Sequence, residues 1–385
     1  MVDNSSTPVP HQVLASVNLR PFTVSVPQSR IDNLKTLLSV SPVPPPNFEN
    51  SRSDGSYGVT RDWMGAALEY WKKTYDWQQW EGVLNKIPQF QVEIEDDDRS
   101  RYDVHFMAIF SASPRAIPVL FLHGWPGSVV EFLPLMLHLK SQFDANPAAF
   151  GYHIIVPSLI GFGWSSPPPS TKDFRFEDNA RLLSKLMTNL GFSKTGYVVQ
   201  GGDIGSPIAC SLASQDPACK LVHVNLFVMS PPEGFDESHM HEYQFSDEEL
   251  TGLQRGKTFW THGTARHRNR KMVEWSDQTP TLDLILTNVC LYWFSGCLPT
   301  SLWSYRQMMS GGNPSTGWEH VNAPMGFSAF KYESGNPPKA WIDTTGKVKW
   351  YRWHAEGGHF AALEQPMVLW GDVVEFIEST NMFSQ

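Results

Sequence analysis

Tyr197-Val198-Val199-Gln200 runs without a break into Gly201-Gly202-Asp203-Ile204-Gly205, and few folds accept such a junction. A strand-length apolar run that meets glycines on both sides of one acidic residue suits a sharp strand-to-helix turn, with the acid exposed at its tip. Taken alone, the pentapeptide fits equally well a glycine-rich turn whose Asp caps the next helix. The residues around it decide the context. Ile117 to Leu122 is a continuous apolar run ending in His123-Gly124-Trp125-Pro126-Gly127-Ser128, and Val130, Leu133, Met136, Leu137 and Leu139 then predict a helix. His153 to Val156 reads as a short buried strand, followed by Gly161-Phe162-Gly163-Trp164-Ser165-Ser166 and three prolines. Phe176 to Leu190 reads as a helix, with Glu177 and Asp178 at the end where its dipole favours negative charge. Strands alternating with helices predict βαβ units and a mostly parallel sheet covered on both faces.

The flanks have a different texture. Residues 1 to about 17 read as a disordered lead-in. Phe22 to Val26 alternates like a strand, Ser29 is placed to cap a helix from Ile31, and the proline run Pro42 to Asn47 predicts an extended connector. From Thr60 the pattern turns helical through Trp63, Ala67, Tyr70, Trp71 and Thr74, then Trp77, Trp80 and Leu84. Val92 to Ile94 and Tyr102 to Phe110 predict a hairpin around the acidic turn Glu95 to Asp98. Pro231-Pro232 closes the middle pattern. Residues 233 to about 323 are polar, aromatic and helical without buried-strand runs, which predicts an inserted α-helical lid. Strand texture returns at Met325 to Phe330 and Val348 to Tyr351, and a final helix is expected from about Val368 to Ile377. The resulting division is a meander over 1–115, core over 116–231 and 324–385, and a lid over 232–323.

Composition excludes several function classes. With 385 residues, 41% hydrophobic and 18% charged, the chain can bury a large core. A net charge of −9 argues against nucleic acid or an anionic membrane as partner. Four cysteines without a C-x-x-C pair make neither a disulfide scaffold nor a structural zinc site, and His239-Met240-His241 lacks a third ligand, so no metal is expected. The polar N-terminus does not read as a secretory signal, and the longest apolar run is far short of the roughly 20 residues a membrane helix needs. A cytoplasmic protein is therefore expected. Fifteen tryptophans suit either an apolar cavity or an aromatic-rich core.

Two more residues join Asp203. Glu333 follows the strand Met325 to Phe330, and His359 lies in the glycine-rich Gly357-Gly358-His359-Phe360. The chain order nucleophile, acid, His is that of the α/β-hydrolase triad. The chain resembles epoxide hydrolases of the microsomal and fungal type, within the α/β-hydrolase superfamily. The likeness rests on Tyr57-Gly58-Val59, the Trp71-to-Trp77 stretch, Leu84-Asn85-Lys86-Ile87-Pro88-Gln89-Phe90, His123 to Ser128, Gly161-Phe162-Gly163, Gly201 to Gly205, and His354-Ala355-Glu356-Gly357-Gly358-His359-Phe360-Ala361-Ala362. It covers nearly everything from about Val17. The resemblance implies an α/β-hydrolase fold with a helical lid and an N-terminal meander. It further implies Asp203 as nucleophile, His359 as base, Glu333 as the acid orienting it, and an oxyanion hole from the backbone N–H groups of Trp125 and Ile204. It implies Tyr305, in Trp303-Ser304-Tyr305-Arg306, as one of two lid tyrosines that protonate the epoxide oxygen.

The residue types fit that chemistry. A carboxylate attacks an alkyl carbon to leave a stable ester, whereas attack on an amide or ester would give an anhydride, so Asp at the elbow argues against protease and lipase activity. A carboxylate is already ionised at neutral pH, so the His acts second, on the water that hydrolyses the ester. The expected reaction takes a small-molecule epoxide and water to a vicinal diol without cofactor. A homodimer is left open. In one place the chain departs from the pattern. After Arg255-Gly256-Lys257, Thr261-His262-Gly263-Thr264-Ala265 runs directly to Arg266-His267-Arg268-Asn269-Arg270, and Met272-Val273-Glu274-Trp275 already matches a later part of the lid. By that pattern a helix or more is missing there, and with it the first lid tyrosine; Tyr243 and Tyr292 do not fit its slot, and His262 and His267 are substitute donors to test. Haloalkane dehalogenases also use an elbow Asp, but they follow it with Trp where this chain has Ile204. An isomerase or cyclase on the same scaffold, and a catalytically weakened protein that has lost a lid tyrosine, are the remaining alternatives.

Overall fold

The computed structural model describes residues 17–53, 58–236, 243–258, 276–277, 279–309 and 321–383. His239 to His241, His262, His267, Met272 to Trp275 and the lead-in before Val17 lie outside them. Among the described residues, nine strands form one sheet: β1 (Arg20–Phe22), β2 (Gln89–Glu95), β3 (Arg101–Ile109), β4 (Ile117–Leu122), β5 (Tyr152–Pro157), β6 (Tyr197–Gly201), β7 (Cys219–Val224), β8 (Val321–Phe330) and β9 (Gly346–His354). Their order is β1-β2-β3-β5-β4-β6-β7-β8-β9. Every pair from β5 to β9 is parallel, and β1 to β3 extend the sheet as an antiparallel edge joined to β5 through Phe106–Ile109. The sheet is therefore mostly parallel, as the alternating pattern predicts.

The central strands β4, β5 and β6 are buried almost end to end, because helices cover both faces. These helices include α4 (Leu133–Ala145), α5 (Phe176–Asn189), α6 (Gly205–Gln215) and the C-terminal helix Pro366–Thr380. In α5, Phe176, Ala180, Leu183 and Met187 are buried at four-, three- and four-residue steps, which puts one stripe against the core. The N-terminal helices are α1 (Gln28–Val40), α2 (Arg61–Lys73) and α3 (Trp77–Leu84). Thr60 caps α2 by accepting the Trp63 N–H, a contact typically worth about 1 kcal/mol. This N-terminal region also holds the lid helix Leu282–Ser295: Tyr70 donates to Asp283 at 2.9 Å, and the Tyr75 and Thr287 hydroxyls pair at 3.0 Å.

Three local expectations need correction. The strand expected over Phe22 to Val26 stops at Phe22. Beyond it the backbone is held by side chains of the α3 region: Val24 N–H donates to Asn85 Oδ1, Asn85 Nδ2 donates to Val24 O, and Val26 N–H donates to Glu81. Ser29 does not cap a helix at Ile31. The helix begins at Gln28 behind Pro27, whose fixed φ of −56° leads into it without a side-chain cap. The strand expected from Met325 begins at Val321, where a register irregularity between Val321 and Pro324 lets the proline sit in the strand.

Candidate active site

The elbow forms because three positions tolerate only glycine. A Cβ on Gly201 would lie 2.2 Å from Gly205 O, one on Gly205 would lie 2.3 Å from Leu122 O, and one on Gly124 would lie 2.2 Å from the Asp203 Cβ. β6 can therefore turn at once into α6, against the loop that leaves β4. Asp203, at the tip, takes φ +47°, a left-handed conformation rare outside glycine and one that recurs where backbone strain serves a site.

The Asp203 carboxylate is gripped from both sides. Trp125 N–H donates to Oδ1 at 2.7 Å, and His359 Nε2 lies 2.9 Å from Oδ2. On the far side of the imidazole, Nδ1 lies 2.6 Å from Glu333 Oε1. Asp203, His359 and Glu333 are all buried. Both ring nitrogens of His359 therefore face carboxylates, which accept only. Burial alone would lower the basicity of the ring, but the charges of Glu333 and Asp203 and their hydrogen bonds outweigh it and raise His359 to about 9. At neutral pH the ring between two carboxylates is an imidazolium.

Glu333 is fixed through its own backbone as well. Arg255, on the lid helix Asp247–Thr258, donates to Glu333 O at 2.9 Å and to Tyr332 O at 2.8 Å, and Ser334 N–H donates to Glu333 Oε1. Ile204, next after Asp203, stands at the start of α6, where helix geometry leaves N–H groups without an internal acceptor. The Trp125 N–H is thus seated on the carboxylate, and Ile204 follows Asp203 directly in the chain at the helix start.

The loop carrying Trp125 is braced on several sides. Asn288 Nδ2 donates to Pro126 O at 2.6 Å, Ser128 donates to Asn288 Oδ1 at 2.6 Å, and Tyr292 donates to Gly127 O at 2.7 Å. The Trp125 indole N–H donates to Ser301 at 3.1 Å. Beneath, His123 Nε2 accepts from Leu159 N–H and Nδ1 faces Gly124 O, which fixes the neutral tautomer protonated on Nδ1. Burial holds His123 down to about 4, so it stays neutral. Tyr305 stands edge-on to the Trp125 ring, with centroids 4.8 Å apart. Of the other described lid tyrosines, Tyr292 gives its proton to Gly127 O, and Tyr243 is exposed beside Phe235 and Phe245.

The structure thus brings together Asp203, His359, Glu333, Trp125, Ile204 and Tyr305, all singled out from sequence. Sequence reasoning missed Asn288, Tyr292, Ser301 and two buried acids, Glu131 and Glu364. For the acids there was a signal: each is the one acid in a largely apolar stretch, Val129 to Leu139 and Phe360 to Leu369. For Asn288 and Tyr292 there was none, because their partners lie about 160 residues away in the chain.

An elbow acid, a His after the last strand and a helical lid over a mostly parallel sheet define the α/β-hydrolase class. Residues 117–251 match the alpha/beta hydrolase fold model, and residues 19–132 match the model for the epoxide hydrolase N terminus. The solved structure of Aspergillus niger epoxide hydrolase is similar with a TM-score of 0.86 and 37% identity, covering 97% of this chain and 98% of that one. A curated relative from Dothistroma septosporum is 35% identical over 94% of this chain and 91% of its own. Epoxide hydrolase 1 of Sus scrofa is 29% identical over 94% and 88%. The chain belongs to the epoxide hydrolase family.

Proposed function

We propose that this protein adds water to an apolar or aryl epoxide through an ester formed on Asp203. The observation that carries the reading is the division of the Asp203 carboxylate, with Oδ1 on the Trp125 N–H and Oδ2 facing His359. Oδ2 attacks an epoxide carbon, the C–O bond breaks, and Tyr305 gives its proton to the leaving oxygen. The ester keeps Oδ1 as its carbonyl oxygen. Forming it removes the negative charge of Asp203, so His359 loses one of the influences that raise it and can release its Nε2 proton, which passes through solvent to restore the Tyr305 hydroxyl. The neutral ring then takes a proton from water, and the resulting hydroxide attacks the ester carbonyl carbon. Glu333 stabilises the imidazolium that forms. Negative charge appears on Oδ1, where the Trp125 and Ile204 N–H groups receive it, and collapse releases the diol and regenerates the carboxylate.

One observation supports an apolar substrate: the aromatic edge formed by Trp125 and Tyr305. Similarity to fungal relatives suits both detoxification and secondary metabolism. A panel of aryl and fatty epoxides assayed for product tests the proposal. Vicinal diol should form from at least the aryl members, at rates well above the uncatalysed ones. Product isomeric with the substrate, without added water, would favour the isomerase or cyclase reading instead.

A further inference from the structure

Two buried acids beside the catalytic loops, Glu131 and Glu364, have no part in the steps above. Glu131 lies in the turn Val129–Phe132 that follows the Trp125 loop, and Glu364 ends the short helix Ala361–Glu364 that follows His359. Carboxyl groups are seldom enclosed without a partner to justify the cost. Glu364 Oε1 accepts the N–H of Phe360, next after His359, at 2.9 Å. Glu131 Oε2 accepts the N–H of Gly124, next before Trp125, at a long 3.4 Å. The same Glu131 oxygen sits under Gly127, where a Cβ would lie 2.6 Å from it and 3.3 Å from the Phe360 ring. The two loops that supply the base and the oxyanion donor therefore meet over a pair of carboxyls.

From this geometry we propose that Glu364 and Glu131 are positioning residues, Glu364 setting the imidazole of His359 and Glu131 setting the Trp125 N–H. The proposal rests on the Asp203 ester mechanism and assigns each acid to a different part of it. Burial raises Glu131 to about 8, with Asp203 and Glu364 adding to the rise and the Gly124 N–H and His359 opposing it. Burial likewise raises Glu364 to about 7, against Ser276, the Phe360 N–H and His359, while Glu333 adds to the rise. Near neutrality burial thus favours the uncharged form of Glu131 and holds part of Glu364 uncharged, so they orient backbone groups while adding little negative charge beside Asp203 and Glu333. A glutamine, neutral and of the same shape, can do the same work.

The test follows formation and decay of the alkyl-enzyme with an aryl epoxide, by rapid quench and intact mass. The variants are Glu364→Ala, Glu364→Gln, Glu131→Ala and Glu131→Gln, and the parent is the control. In Glu364→Ala the ester should form at the parent rate and decay about ten- to a hundredfold more slowly, as expected when a base is misplaced by a fraction of an ångström. In Glu131→Ala both steps should slow, because the Trp125 N–H orients the carboxylate and later receives the oxyanion. The Gln variants should stay near the parent. A general loosening would slow both steps in either Ala variant, and that pattern in Glu364→Ala overturns the assignment. So does a Gln variant as impaired as its Ala counterpart. Should the Ala variants not fold, Gln variants with parent-like decay still support neutral bracing, and slowed Gln variants overturn it. A parent that forms no adduct removes the ester mechanism itself, whereas failure confined to the variants leaves that mechanism standing.

Discussion

Tyr305→Phe should slow formation of the alkyl-enzyme by about 10²–10⁴-fold, the usual span for loss of a general acid. An alkoxide is a poor leaving group, and among the described lid tyrosines Tyr305 is the phenol placed against the Trp125 edge of the site. Tyr292 does not substitute, since its hydroxyl donates to Gly127 O at 2.7 Å and helps hold the Trp125 loop. The loss should fall on ester formation and spare ester decay, because the leaving oxygen is already protonated when water attacks. Epoxides carrying an electron-withdrawing neighbour need less help and should lose less. Rapid-quench measurement of the first turnover separates the two steps. Ester formation at the parent rate in Tyr305→Phe would mean that another donor acts, with His262 and His267 the next residues to replace.

His359→Gln should have an effect of similar size on the opposite step. Asp203 does not need a base to attack, so the ester should still form, while its hydrolysis should slow by about 10²–10⁴-fold for want of a general base. The variant should gain a mass equal to that of the substrate, located on the peptide containing Asp203. The pH dependence of decay in the parent follows from the same charges. The ring must be neutral to take a proton from water, so decay should slow as pH falls through the His359 value of the ester form. That value should lie below the value of about 9 in the free enzyme, because esterification removes the Asp203 charge that helps raise it. A decay rate that falls as pH rises, or a variant that binds substrate without gaining mass, would contradict this division of labour.

How much was legible in the sequence depended on whether a residue's role is local. The central strands could be read because burial on both faces leaves an uninterrupted apolar run, as at Ile117 to Leu122 and Tyr197 to Gln200. β7 was harder, since Lys220 and His223 break its run; His223 is nonetheless buried, paired with Ser328 on the neighbouring strand. The start of β8 was hidden by Asn322 and Pro324, which an irregular register accommodates. At the site, Asp203, Ile204, Trp125 and His359 sit in short motifs whose glycines are required by close approach of neighbouring atoms or, at Gly357, by a positive φ, so the motifs announce themselves. Glu333 was readable by chain order. Asn288, Tyr292 and Ser301 act on a loop far away in sequence, and nothing in their own neighbourhoods marks them. Glu131 and Glu364 lie between these extremes: each stands out as an acid among apolar residues, but its contact appears only when the two loops are seen together.

The most direct test of the Asp203 ester is one turnover in water enriched in heavy oxygen, with enzyme in excess over epoxide. Hydrolysis at the ester carbonyl should put the label into the Asp203 carboxylate, and the diol of that first turnover should carry only the carboxylate oxygen and the epoxide oxygen, both unlabelled. Labelled diol from the first turnover, with an unlabelled Asp203 peptide, would mean that water attacks the epoxide directly and that Asp203 is not the nucleophile.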